Sequence, residues 1–272
     1  ANVLGRYLAG VSYLPREVSV QFDDGEEQFP VILVEWIEGT ILSRFVEEKF
    51  LKNDCSSLLA LHREILRLRS ALRTAEVSHG DLSGDNIMVI GEGEDLGLKL
   101  LDYDSLWFRD IGGLTCAVSE AGNIQHPLRP NPIGAFADEV AFRMYDLALR
   151  YLGQQDRSFN ISGLFDQRVL LTREEWVLCE TSLATQLRDF DTDAFLTIRA
   201  LIEGPYSAVV ASAALTLDEN EVEIDQIDEP GSGESGSLTF DDLCMDLELS
   251  VRELRILLRE TGIGAEDVSG FY

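Results

Sequence analysis

The sequence predicts an α+β fold: a strand-rich N-terminal section, a mainly helical body, and a small helical module at the end of the chain. Three observations carry that reading. Residues 1–38 contain short alternating or wholly apolar runs, whereas from Gly39 onward apolar residues recur at three- and four-residue spacing. Residues 218–237 then hold eight acids, no base and a Gly/Ser run. The predicted boundaries are therefore 1–38, 39–217, 218–237 and 238–272.

In the first section, "EVSVQF" and "QFPVILVEW" read as two strands separated by the turn-forming "DDGEE", a plausible hairpin. In the second, "TILSRFVEEKF" and "CSSLLALHREILRLRSALRTA" place apolar side chains on one helical face, which a helix needs in order to bury against a core. "AFADEVAFRMYDLALRYLG", "TREEWVLCETSLATQLRDF" and "TDAFLTIRALIEG" continue the helical pattern. Thr172 followed by Glu175 is a capping-box arrangement, in which each side chain satisfies an amide left over at the helix start. The acidic stretch cannot bury enough apolar surface to offset its ordering entropy, so it is expected to be a flexible linker. Beyond it, two amphipathic helices are expected, with Ser250 and Glu253 as a second capping pair and Gly262 as a stop. A piece of about 35 residues rarely folds alone, so this module is expected to dock on a protein.

The net charge of −27 repels nucleic acid and anionic lipid in the absence of a local basic cluster. Arg252, Arg255 and Arg259 share a helical face, but neighbouring acids nearly cancel them, so nucleic-acid binding is not expected. No apolar run approaches the roughly 20 residues of a membrane span. The four cysteines stand far apart with no CxxC pair, which argues against zinc and against a disulfide framework. A cytoplasmic protein is the expectation. Only three lysines occur, Lys49, Lys52 and Lys99; the other basic residues are arginine.

Chemistry concentrates in "SHGDLSGDNIMVI" (78–90) and "LKLLDYDS" (98–105). Asp81 is followed five residues later by Asn86, and Asp102 stands at the end of a short apolar run. Phosphoryl transfer requires a carboxylate to orient the acceptor hydroxyl, and oxygen ligands to hold Mg²⁺ on the phosphates. Asp81, Asn86 and Asp102 are residues of that kind.

"HGDLSGDN" resembles the H-x-D-x-x-x-x-N catalytic loop of the protein kinase-like superfamily, and "DYD" resembles its metal-binding D-F-G. "FPVILVEWIEGTIL" and "IQHPLR" are similar to segments of a bacterial kinase-like family. The resemblance extends over about residues 5–205 and is most specific over 78–140. It implies a protein kinase-like fold with a partial β small lobe and hinge in 1–38, a mainly α large lobe in 39–217, and ATP and Mg²⁺ as cofactors. It further implies that Asp81 orients or deprotonates the acceptor, that Asn86 and Asp102 bind the metal, and that Glu35, Trp36 and Ile37 belong to the hinge that receives adenine. His79 and Asp138 take structural roles, Asp138 as the buried aspartate of the large central helix.

The sequence departs from that pattern in three respects: Tyr103 and Asp104 stand for the Phe and Gly of D-F-G, Ser83 stands where protein serine/threonine kinases usually carry a lysine, which leaves the substrate class open, and the phosphate clamp is missing. Residues 1–33 contain neither a G-x-G-x-x-G nor a lysine, although a complete kinase clamps the phosphates with both. "NVLGRYLAGVSYLP" resembles the end of the regulatory helix running into the fourth strand. Two readings follow: a Mg-ATP-dependent phosphotransferase, most like a protein serine/threonine kinase, or a pseudokinase serving as a regulatory, protein-binding module. The expected partner is a protein substrate or a regulatory protein.

Overall fold

The computed structural model describes residues 4–22, 25–108, 124–128, 134, 136–154, 163–166 and 168–219. The linker from residue 220 onward and the 238–272 module lie outside the described residues. The described part is mixed α and β.

After a 3-10 turn at Gly5–Tyr7 comes an antiparallel ribbon of β1 (Val11–Phe22) and β2 (Gly25–Val34). The ladder pairs Val11 with Val34 and Phe22 with Gly25. Its register shifts between Leu14 and Val18, a span containing Pro15, which has no amide to give to a ladder. Both strands are largely exposed, including Val18, Val20, Phe22, Ile32, Leu33 and Val34.

The body starts with β3 (Thr40–Ile41), α1 (Leu42–Leu51) and α2 (Cys55–Thr74). Asp54 caps α2 by accepting the Ser57 amide at 3.1 Å. Two small sheets follow. In one, β3, β5 (Ile87–Ile90) and β6 (Gly97–Leu100) run in the order β3-β5-β6; in the other, β4 (Val77–Ser78) pairs with β7 (Trp107–Phe108). Ile87, Val89, Leu98 and Leu100 point inward while their neighbours are half exposed, the two-residue alternation of strands with one covered face.

α3 (Glu139–Gln154) is buried on almost every side, as a helix at the centre of a core must be. Its long partner is α2, whose Leu58, Leu61, Ile65, Leu68 and Leu72 are buried at three- and four-residue spacing. α4 (Arg173–Leu178), α5 (Ser182–Phe190), α6 (Thr192–Glu203) and α7 (Tyr206–Glu219) complete the described body. The Thr172–Glu175 capping box is formed in both directions, at 3.3 Å and 2.8 Å.

One sequence expectation requires correction: the single helix expected over "TREEWVLCETSLATQLRDF" is two, because Cys179 adopts the left-handed conformation (φ 53°), closes α4, and lets Thr181 cap α5. Asp138 stands at the N-terminal end of α3, where its carbonyl accepts the Phe142 amide at 3.0 Å. α7, for which the sequence pattern gives no expectation, continues to Glu219.

Candidate functional site

Strand pairing gathers the two motifs. Residues 79–86 leave β4 and enter β5, while 101–106 leave β6 and enter β7. Because β5 pairs with β6 and β4 with β7, both loops emerge at the same end of these sheets. The Leu101 amide donates to Asn86 O at 2.9 Å and joins them directly.

The 79–86 loop is held from several sides. Ser43, at the start of α1, donates its amide to Gly84 O at 3.1 Å and its hydroxyl to Asp85 Oδ1 at 2.9 Å. Tyr145 of α3 donates to Leu82 O at 3.0 Å. Gly84 lies against the 163–166 segment so closely that a Cβ there would stand 1.8 Å from Phe165 O. Only glycine fits at that position.

Asp138 anchors the loop from below: its Oδ2 accepts the His79 amide at 2.6 Å and its Oδ1 the Gly80 amide at 2.8 Å. Burial pushes the Asp138 carboxyl above its ordinary range, although these two amides pull the other way. His79 is itself buried. Its Nδ1 accepts the Asp81 amide at 3.3 Å, so its Nε2 carries the proton and donates to Leu101 O at 2.8 Å. One neutral imidazole thus ties the two loops together, and its edge packs against the Tyr103 ring, 6.3 Å between centroids.

Asp81 is half buried and both of its carboxylate oxygens are engaged. Asn86 Nδ2 donates to Asp81 Oδ2 at 3.0 Å and to Asp81 O at 2.9 Å. Gln125 Nε2 donates to Asp81 Oδ1 at 2.8 Å and to Gly80 O at 2.7 Å. With its amide nitrogen turned to Asp81, Asn86 keeps its carbonyl oxygen for other use.

Asp102 is exposed and adopts φ 60°, a conformation uncommon outside glycine and one that concentrates at functional sites. Partial burial, then the charge of Asp102 and a hydrogen bond to it, and then the charge of Asp81 push the Asp104 carboxyl above its ordinary range. Among the described residues, no group of three or more His, Cys, Asp or Glu side chains could hold a metal ion.

Between Asp102 and Asp104, Tyr103 turns inward. Its hydroxyl donates to Leu100 O at 2.6 Å and accepts the Ala9 amide at 2.7 Å, while Lys99 Nζ donates to Leu8 O at 2.6 Å. The N-terminal segment is further pinned by Arg6 and Tyr7 on the buried Glu64 of α2. Burial and the adjacent Glu64 charge push the Tyr7 hydroxyl up.

Three further sequence-predicted residues stand outside the two loops, and two histidines complete the surroundings. Glu35, Trp36 and Ile37 form an irregular connection between β2 and β3. Glu35 accepts the Gly10 amide on its side chain at 2.9 Å and pairs its own amide with Gly10 O at 2.8 Å. Trp36 is 87% exposed, which leaves its ring without a packing role. His62 pairs with Asp146 at 2.7 Å on the α2–α3 seam. His126 is a buried structural residue: Nδ1 accepts the Leu128 amide at 3.0 Å and Nε2 donates to Gly204 O at 3.1 Å.

Sequence reasoning missed Gln125. It lies 44 positions from Asp81 with no local pattern to tie them, and its only signal was membership of the "IQHPLR" segment.

No protein-family model matches the chain, and comparison with curated proteins yields no match. Among the described residues, no helix is long and apolar enough to cross a membrane.

Proposed function

We propose that the chain carries the acceptor- and metal-binding half of a protein kinase-like site and acts as a Mg-ATP-dependent phosphotransferase. The observation that carries this reading is the Asp81 carboxylate, fixed by Asn86 and Gln125 on a loop whose amides rest on buried Asp138. The element order supports it as well: two long helices, paired strands flanking each motif, and a central buried helix after the second. This is the arrangement that the resemblance implies for a kinase large lobe.

In this proposal Asp81 accepts a hydrogen bond from the acceptor hydroxyl, aims the oxygen at the terminal phosphorus, and takes the proton as the bond forms. Asn86 Oδ1 and Asp102 would hold Mg²⁺, which when bound neutralises the phosphate oxygens. His79 and Asp138 keep the loop in shape and stay out of the chemistry. Glu35, Trp36 and Ile37 would offer backbone groups to adenine, and a protein serine or threonine is the proposed acceptor.

A second reading is a pseudokinase that binds protein partners through the same fold. A radiolabelled transfer assay with Mg-ATP and mixed protein acceptors separates the two. Transfer that Asp81→Asn reduces by roughly 100-fold or more supports the phosphotransferase. Equal rates in wild type and Asp81→Asn overturn the site assignment, and no transfer beside intact partner binding favours the pseudokinase.

A further inference from the structure

Gln125 and His126 are adjacent in sequence and face opposite ways. The Gln125 side chain enters the 79–86 loop and is buried, while His126 is seated against Gly204 O, the Leu128 amide and the edge of the Tyr206 ring, 5.4 Å between centroids. His126 therefore fixes the backbone from which Gln125 reaches Asp81. A glutamine in this environment has a physical reason to be there: its nitrogen offers two hydrogens, and Gly80 O and Asp81 Oδ1 lie 2.7 Å and 2.8 Å away.

We propose that Gln125 is a positioning residue for Asp81, anchored by its neighbour His126 on the α6–α7 junction. The proposal rests on the reading of Asp81 as the acceptor-orienting carboxylate. A carboxylate bonded on one oxygen can swing about its Cβ–Cγ bond; bonded on both, it presents its remaining lone pairs in one direction. Asn86 fixes Oδ2, and Gln125 supplies the second restraint. Because that restraint arrives from a segment far along the chain, displacement of the segment would release both Asp81 Oδ1 and Gly80 O while leaving the bonds from Ser43, Tyr145 and Asp138 to the loop in place.

The first test needs no activity. In the amide spectrum of the ¹⁵N-labelled full chain, the two Gln125 side-chain protons should lie downfield and exchange slowly; in Asp81→Ala the proton directed at Asp81 should lose both features while the one on Gly80 O keeps them. Two Gln125 proton resonances at the free-amide position, or neither responding to Asp81→Ala, overturns the proposal. The second test is kinetic. Gln125→Leu should lower kcat by roughly 10- to 100-fold, the scale of a misplaced catalytic group, with KM changed by less than about twofold. Gln125→Glu should be impaired at pH 8, where two carboxylates face each other, and recover toward wild type as the pH falls and a protonated glutamic acid donates in place of the amide. A Gln125→Glu profile parallel to wild type at every pH also overturns the proposal. If wild type shows no transfer, the phosphotransferase reading fails while the amide spectrum still decides the contact.

Discussion

Replacing Asp138 by asparagine perturbs the site's foundation with almost no change of shape. The carboxylate accepts the His79 amide at 2.6 Å and the Gly80 amide at 2.8 Å, one on each oxygen. Asparagine keeps one acceptor and turns an NH₂ toward the other amide, so one buried N–H loses its partner and meets another donor. An orphaned buried donor costs about 1–3 kcal/mol, and losing the charge on the retained bond adds about 1 kcal/mol. Against this, the substitution relieves the burial of an ionised carboxylate, the effect that raises the Asp138 carboxyl. The net expectation is a destabilisation of about 2–3 kcal/mol, or roughly 4–12 °C in melting temperature for a body of this size. Differential scanning calorimetry at pH 7 measures it directly. A melting temperature within about 1 °C of wild type would refute the reasoning, because the amides could not then depend on Asp138.

Two further predictions concern the loop and its neighbours. Gly84→Ala forces a Cβ to within 1.8 Å of Phe165 O, so the 163–166 segment must separate from the 79–86 loop; a loss of at least about 2 kcal/mol in urea unfolding is expected, and an unchanged midpoint would contradict the close approach. Burial holds the His126 imidazole below its ordinary range, so the unfolded chain binds the proton more readily. Stability is then complete above the unfolded value near 6.5 and falls as the pH drops through the folded value. Melting curves from pH 8 to pH 5 should show that decline, smaller in His126→Gln, which keeps a donor for Gly204 O but does not titrate. Equal slopes would remove His126 as its source.

Much of the architecture could be read before any coordinates because its causes are local. The hairpin, the apolar stripe of α2 and the Thr172–Glu175 cap each depend on residues within a few positions of one another. The break between α4 and α5 escaped because a cysteine, not a glycine, takes the left-handed turn, so the helical spacing reads straight through it. α7 escaped for the opposite reason: "YSAVVASAALTL" is apolar or small throughout and lacks the contrast that marks a face. At the site, the spacing of Asp81, Asn86 and Asp102 marked them as candidates, and strand pairing explains why the two loops meet. The support beneath them was less legible. Gln125 reaches Asp81, and Ala9 reaches Tyr103, across separations that no periodicity encodes.

The most direct test of the central claim is calorimetric titration of the 272-residue chain with Mg-ATP, in wild type, Asp81→Asn and Asp102→Asn. The proposed roles predict saturable heat in wild type and in Asp81→Asn, and at least tenfold weaker binding in Asp102→Asn, the loss of one metal-ligating carboxylate. Binding that is absent in wild type, or that survives Asp102→Asn unchanged, would contradict a Mg²⁺-nucleotide site built on Asn86 and Asp102.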